Sequence, residues 1–178
     1  MPEDAVKCHL LGVGTPCFSG RAPTPVREFV RGLPPMDGKR TFVFATSSGA
    51  SGRVLCDLTH LLHSKGADVV GGLVLRGECH HPSPSVIGRF PGRPNAKDLA
   101  QARSFATGVA RHFLAEVPGP FLLSGLGPQK PRRSLYALVG LITADGFLRL
   151  LMPRPRLDTD RCDGCHICIH DCPMGNIA

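Results

Sequence analysis

Four of the eight cysteines lie close together near the C-terminus, at Cys162, Cys165, Cys168 and Cys172. Two residues separate each of the first three, three residues separate the third from the fourth, and Pro173 follows directly. Thiolates at this spacing can surround one cuboidal iron–sulfur cluster, and Gly164 lets backbone N–H groups approach the sulfur atoms. The spacing therefore predicts a 4Fe–4S cluster bound by this segment.

Zinc is the main alternative, because structural zinc sites also use cysteines separated by two residues. Such sites usually divide their ligands between two distant pairs, whereas this run is continuous, so iron–sulfur ligation is favoured. Disulfide bonds are less favoured still. The N-terminal sequence MPEDAVK lacks the features of a secretion signal, so we expect a reducing, cytoplasmic location. The neighbouring His166 and His170 are interpreted as exposed loop histidines.

The fourth cysteine raises a separate question. In two-cluster ferredoxins the last cysteine of such a run binds the other cluster. The sequence contains no second run, so Cys172 is a candidate ligand that the spacing does not direct to the same cluster. We predict three firm protein ligands and a Cys172 side chain that points away from the other three sulfur atoms.

The chain is basic, with 21 Lys and Arg against 14 Asp and Glu and a formal charge of +7. The simplest interpretation is a solvated basic surface. The next is a surface that attracts an acidic redox partner or the negative cluster itself. Nucleic acid binding is disfavoured, because one Tyr and no Trp leave little for base stacking. We also expect no membrane span, since no stretch of about 18 residues is uninterruptedly apolar.

Upstream of the cysteines, apolar strands alternate with helical patterns, which is the order of a parallel α/β sheet. Strands are predicted at residues 6–13, 40–46 and 68–75, and helices begin near Thr24, Val54 and Asn95. The apolar run of the first strand ends in Gly12, Gly14 and Pro16, and a loop is expected to follow it. Because right-handed crossovers favour neighbours, the three strands should be parallel and adjacent in chain order.

The chain is predicted to have three regions. Residues 1–117 form the α/β domain, residues 118–157 form a linker with one helix at about 134–151, and residues 158–178 form the cysteine segment. In the α/β domain, the helix that Asn95 caps is expected to cover one face of the sheet. Two prolines, Pro153 and Pro155, are expected to stiffen the end of the linker.

As a whole, the sequence resembles the flavodoxin–ferredoxin fusion proteins. The resemblance is carried by residues 12–16 after a strand, residues 39–46 before a small-residue loop, residues 90–95 at the start of a helix, and the cysteine run. It implies a partial flavodoxin-like parallel sheet with helices, followed by a small ferredoxin-type 4Fe–4S segment. By this resemblance, the loops that flank a flavin ring would be formed by Thr15, Pro16, Cys17 and Phe18, and by Thr46, Ser47, Ser48 and Gly49.

The sequence departs from that family at its beginning. The family's first strand and its phosphate-binding loop should precede Ala5, where only four residues stand, so the chain is interpreted as truncated at both ends. Without a phosphate loop, FMN binding is expected to be weak or absent, and the flavin residues could equally form tight turns.

The expected function is electron transfer with a redox partner protein, either as a carrier or as part of an oxidoreductase. No catalytic acid, base or nucleophile is identified in the sequence. The alternative is a non-enzymatic fragment whose cysteines hold zinc or no cofactor.

Overall fold

The computed structural model describes residues 7–18, 20–49, 51–79, 88–115 and 158–171. In chain order, its elements are β1 (Leu11–Pro16), α1 (Thr24–Arg31), β2 (Arg40–Ser47), α2 (Val54–His63), β3 (Asp68–Arg76), α3 (Ala96–Leu114) and α4 (Ile167–His170). The predicted linker helix at 134–151 lies outside the described residues. None of the helices described is long and apolar enough to cross a membrane.

The three strands form one parallel sheet in the order β1-β2-β3. Both the parallel orientation and the order were predicted from the sequence, and both are confirmed. The pairing of β2 with β3 shifts by one residue between Thr41 and Phe42, which leaves Val70 as an extra residue of β3. The consecutive residues Val69 and Val70 belong to two different hydrophobic cores, because successive side chains of a strand point to opposite faces of the sheet.

The predicted bounds of the first strand are wrong. The strand is Leu11–Pro16 and not residues 6–13, and Gly14 and Pro16 lie within it and not in a following loop. Gly12 pairs with Phe42, and Gly14 pairs with Phe44. A Cβ atom at Gly12 would lie 2.4 Å from Phe42 Cζ, and one at Gly14 would lie 2.3 Å from Phe44 Cζ. The two aromatic rings therefore lie across the glycines and replace the side chains that this strand lacks.

Helices pack on both faces of the sheet. On one face, α1 and α2 contribute Val30, Leu58 and Leu62, which are fully buried together with Val43 of β2. On the other face, α3 packs Phe105 and Val109 against β3. The predicted covering role of this helix is confirmed. Gly71 makes the close approach possible, because a Cβ atom there would lie 3.3 Å from the Phe105 ring.

The N-terminus of α3 is closed by a capping box. The Asn95 side chain accepts hydrogen bonds from the backbone N–H groups of Lys97 and Asp98, and the Asp98 carboxylate accepts one from the Asn95 N–H at 2.8 Å. The prediction of Asn95 as N-cap is confirmed. Asp98 is 2% exposed and also pairs with the Arg93 guanidinium, which lies 2.5 Å away. This ion pair fixes the preceding loop to the helix.

Candidate functional site

Two of the predicted loops meet at the carboxyl ends of the strands. Pro16 at the end of β1 is the register partner of Thr46 in β2, and the Cys17 N–H donates to the Thr46 carbonyl oxygen at 2.9 Å. The structure therefore brings residues 15–18 next to residues 46–49. This edge is where open parallel sheets place their ligands.

Two hydroxyl groups of this predicted set are buried and bonded within their own loops. The Thr15 Oγ1 donates to the Pro16 carbonyl oxygen at 2.9 Å, and the Ser47 Oγ donates to the Gly49 carbonyl oxygen at 3.2 Å. Each residue is 5% exposed. Thr15 and Ser47 thus shape the turns, whereas Phe18, which is 65% exposed, presents its ring to the solvent.

Cys17 is half-buried between these loops. Its Sγ lies 3.5 Å from the Ser51 carbonyl oxygen and makes a further hydrogen bond with the Ser47 side chain. Burial raises the pKa of the Cys17 thiol, while hydrogen bonds with Ser47 and with the Gly20 backbone act in the opposite direction. The net result is a thiol that retains its proton and stabilises the turn, not an activated nucleophile.

The sequence analysis missed a third contribution to this edge. Arg76, the last residue of β3, donates from Nη1 to the Gly49 carbonyl oxygen, and its guanidinium carbon lies 4.9 Å from the centroid of the Phe90 ring. Phe90 has a left-handed backbone with a φ of +59° and is 40% exposed. One arginine therefore connects the β2 loop to residues 88–95. The sequence feature that could have indicated this contact is an arginine at the end of a buried strand.

The cysteine segment is exposed throughout its described part. Cys162, Cys165 and Cys168 are all exposed and form no disulfide, while Cys172 lies outside the described residues. Gly164 and His166 have positive φ angles of +70° and +58°, so the chain turns sharply after Cys162 and again after Cys165. Directly after His166, α4 carries Cys168 on its single turn.

The three thiols do not form a ready-made metal site. In the part of the chain that the structure describes, no group of three or more Cys, His, Asp or Glu side chains is placed to hold a metal ion. The donor set nevertheless fits an iron–sulfur cluster, because thiolates are its ligands, and these three are accessible on a loop with two left-handed turns.

Asp163 supports the turn between the first two cysteines. Its Oδ1 accepts a hydrogen bond from the Cys165 N–H at 3.1 Å. Hydrogen bonds from Cys165, first from its side chain and then from its backbone, lower the pKa of this carboxyl. The carboxylate therefore orients the backbone amide of a predicted ligand.

No family model, curated protein or solved structure matches this chain. The functional interpretation consequently depends on the cysteine spacing and on the geometry of the described residues.

Proposed function

We propose that this chain is an electron-transfer protein that binds a 4Fe–4S cluster through Cys162, Cys165 and Cys168, with Cys172 as a candidate fourth ligand. The observation that carries the proposal is the continuous spacing of the cysteines, ended by Pro173. When bound, a cluster of this class supplies one-electron transfer at a potential that its surroundings set. The chain supplies the thiolates, the turns between them and the nearby backbone N–H groups.

The local geometry of the segment supports this proposal. The thiols are exposed, so iron and sulfide can reach all three, and the left-handed Gly164 and His166 allow the short intervals between them to curve. Exposed Ile167 and Ile169 flank Cys168 on α4. Apolar side chains around the sulfur atoms would limit the access of water, which is one of the factors that set the potential of a cluster.

For the α/β part, we propose a partial flavodoxin-like domain that binds FMN weakly or not at all. The support comes from the loops at the carboxyl edge, where the Thr15 and Ser47 hydroxyls are already bonded within their own turns. The measurement is the flavin fluorescence released by acid from the purified chain, compared with an equimolar FMN standard. Stoichiometric, tightly bound FMN would contradict this part of the proposal.

The cluster is tested by anaerobic reconstitution of the full chain with iron and sulfide. The expected result is a brown protein with a broad visible absorption band and nearly equal amounts of iron and acid-labile sulfide. A colourless protein that contains zinc would instead support the zinc-binding alternative. A chain that takes up neither metal would show that the cysteines serve no metal centre.

Single substitutions identify the ligands. Cys165→Ser should abolish cluster assembly, whereas Cys172→Ser should leave much of it intact, because Cys172 is predicted to point away from the other three. His170→Gln is the matched control, since this exposed side chain lies in the same segment and is not a predicted ligand. If Cys165→Ser and Cys172→Ser abolish assembly equally, Cys172 is a ligand of the same cluster.

The proposed partner is a redox protein of the same reducing, cytoplasmic compartment. The excess of Lys and Arg over the whole chain favours an acidic partner surface. Electron transfer that slows as ionic strength rises would agree with this attraction, because salt screens exposed charges.

A further inference from the structure

A cavity of about 510 Å³ lies at the amino end of β2, away from the loops that follow the strands. Three parts of the chain form its walls: His9 before β1, residues 35–40 before and at the start of β2, and Phe113 near the end of α3. It is largely open to the solvent, and its volume is within the range of pockets that hold small molecules. The proposed electron-transfer function does not use it.

The walls of this cavity carry more positive than negative charge. Lys39 and Arg40 contribute two cations, whereas Asp37 is the single carboxylate among the lining residues. In the ranges that the structure describes, the ion pairs involve Arg21, Arg53, Arg93 and Arg161, and neither Lys39 nor Arg40 has a carboxylate partner. An anion in the cavity would therefore meet two cations and one carboxylate, Asp37, and neither cation forms a close ion pair with it.

Backbone carbonyl groups hold both cations in place. The Lys39 ammonium donates to the Cys8 carbonyl oxygen, and the Arg40 Nη1 donates to the Phe113 carbonyl oxygen at 3.0 Å. The Arg40 guanidinium carbon also lies 5.8 Å from the centroid of the Phe113 ring. An ammonium has three donors and a guanidinium has five, so both retain N–H donors beyond these bonds. Their positions are thus set before a ligand arrives, which reduces the entropy cost of binding.

The remaining lining is partly apolar, through Pro35, Met36 and the Phe113 ring. Fixed cations beside an apolar wall suit a molecule with a charged oxyanion group and a small hydrophobic body. A carboxylate and a phosphate monoester share this chemistry, and either can accept the paired N–H donors of an arginine. We propose that this cavity binds a small organic oxyanion, independently of any cluster or flavin.

The test is a calorimetric titration of the full chain with phenyl phosphate at low ionic strength, repeated with benzoate and with inorganic phosphate. Saturable binding of phenyl phosphate or benzoate, tighter than that of inorganic phosphate, is expected. No saturable binding of either organic probe would overturn the proposal. Equal affinity for inorganic phosphate would also overturn it, because the apolar wall would then contribute nothing.

Two variants locate the binding. Lys39→Gln should weaken binding by roughly tenfold or more, since it removes one charge-assisted hydrogen bond. Lys97→Gln is the matched control, because it removes the same charge from the other end of α3, where the side chain is exposed. Equal weakening by both would indicate a general effect of the basic surface and would overturn the proposal. If circular dichroism shows that Lys39→Gln is unfolded, Arg40→Gln replaces it and should also weaken binding, because it removes the other cation of the lining.

Discussion

The contact between Gly12 and Phe42 requires that residue 12 have no side chain. A methyl group at position 12 would overlap the Phe42 ring, which also packs edge-on against Phe105 at a centroid distance of 6.0 Å. Because the ring is held from both sides, we expect Gly12→Ala to lower the free energy of unfolding by about 1–3 kcal/mol. Denaturant unfolding followed by circular dichroism measures this change.

Substitutions at two other glycines serve as comparisons for that prediction. Gly14→Ala should cost less than Gly12→Ala, because the Phe44 ring that it would displace is 40% exposed and can turn towards the solvent. Gly77→Ala should be nearly neutral, since a Cβ atom there would meet nothing within 4 Å. Similar losses at Gly12 and Gly77 would contradict the role assigned to the Phe42 ring.

The half-buried thiol of Cys17 gives a second prediction at the residue scale. Because its pKa is raised and it is half-buried, Cys17 should react with iodoacetamide more slowly at neutral pH than the exposed Cys162 and Cys165 of the metal-free chain. Peptide mapping by mass spectrometry after brief alkylation measures the three rates. Faster modification of Cys17 would show that the turn does not protect it.

The same shift in pKa links Cys17 to stability. A raised pKa in the folded state favours the protonated thiol, so this contribution is fully present below the unfolded pKa of about 8.5. It is lost as the pH rises through the higher pKa of the folded state. Above the unfolded pKa, the stability of the wild-type chain should therefore fall more steeply than that of Cys17→Ala. Parallel pH profiles would contradict the shift.

At the scale of the element, α3 depends on the ion pair and the cap at its first turn. Asp98→Ala removes both the partner of Arg93 and one half of the capping box. We expect a loss of about 3 kcal/mol, because breaking a buried pair leaves one charge without compensation. Asn95→Ala should cost about 1 kcal/mol, the usual value of an N-cap.

An exposed position of the same helix provides the control. Ser104→Ala lies in the middle of α3 on the solvent side and should change stability by no more than about 0.5 kcal/mol. Thermal or denaturant unfolding compares the three variants. If Asp98→Ala were as mild as Ser104→Ala, the Arg93 pair would contribute nothing to the docking of α3.

The bounds of the helices and strands also show which parts of the fold the sequence patterns could predict. The second and third strands and α3 were predicted nearly to the residue, because each is a clear apolar run or a helical repeat with a cap or a glycine at its end. The first strand was misplaced, because Gly12, Gly14 and Pro16 are typical of a loop when the residues that pair with them are unknown. Only the pairing with Phe42 and Phe44 explains why glycines belong there.

For the candidate site, the sequence predicted the parallel, adjacent strands that place the loops after β1 and β2 side by side. It did not establish that these loops flank a flavin ring, which stays a prediction. It could not show that Thr15 and Ser47 face the interior of their turns, because hydroxyl direction depends on tertiary contacts. Arg76 and Phe90 were missed as a pair for the same reason: 14 positions of sequence separate two groups whose contact exists only in the folded chain. The ligands of the predicted cluster remain a prediction from spacing.

At the scale of the whole molecule, charge is unevenly distributed. The described cysteine segment has four aspartates and one arginine, whereas the complete chain carries +7. An acidic partner would therefore be attracted mainly to regions other than residues 158–171.

The described hydrophobic cores contain no residue of the cysteine segment. Stripping iron from the reconstituted chain with a chelator should therefore remove the visible absorption and leave the far-ultraviolet circular dichroism and its thermal midpoint almost unchanged. The untreated reconstituted chain is the control. A large drop in the midpoint would show that the metal centre stabilises the α/β domain as well.

The rings over the glycines of β1 also constrain the order in which this sequence can evolve. While the Phe42 ring covers position 12, any larger residue at position 12 lowers the stability of the fold. A smaller residue at position 42 also lowers it, as long as position 12 has no side chain to fill the gap. Each change becomes acceptable only in the background of the other. Positions 12 and 42 should therefore be inherited as a coupled pair, which diverges together or stays as it is, whereas positions 14 and 44 should be coupled less tightly, because the exposed Phe44 ring can turn towards the solvent.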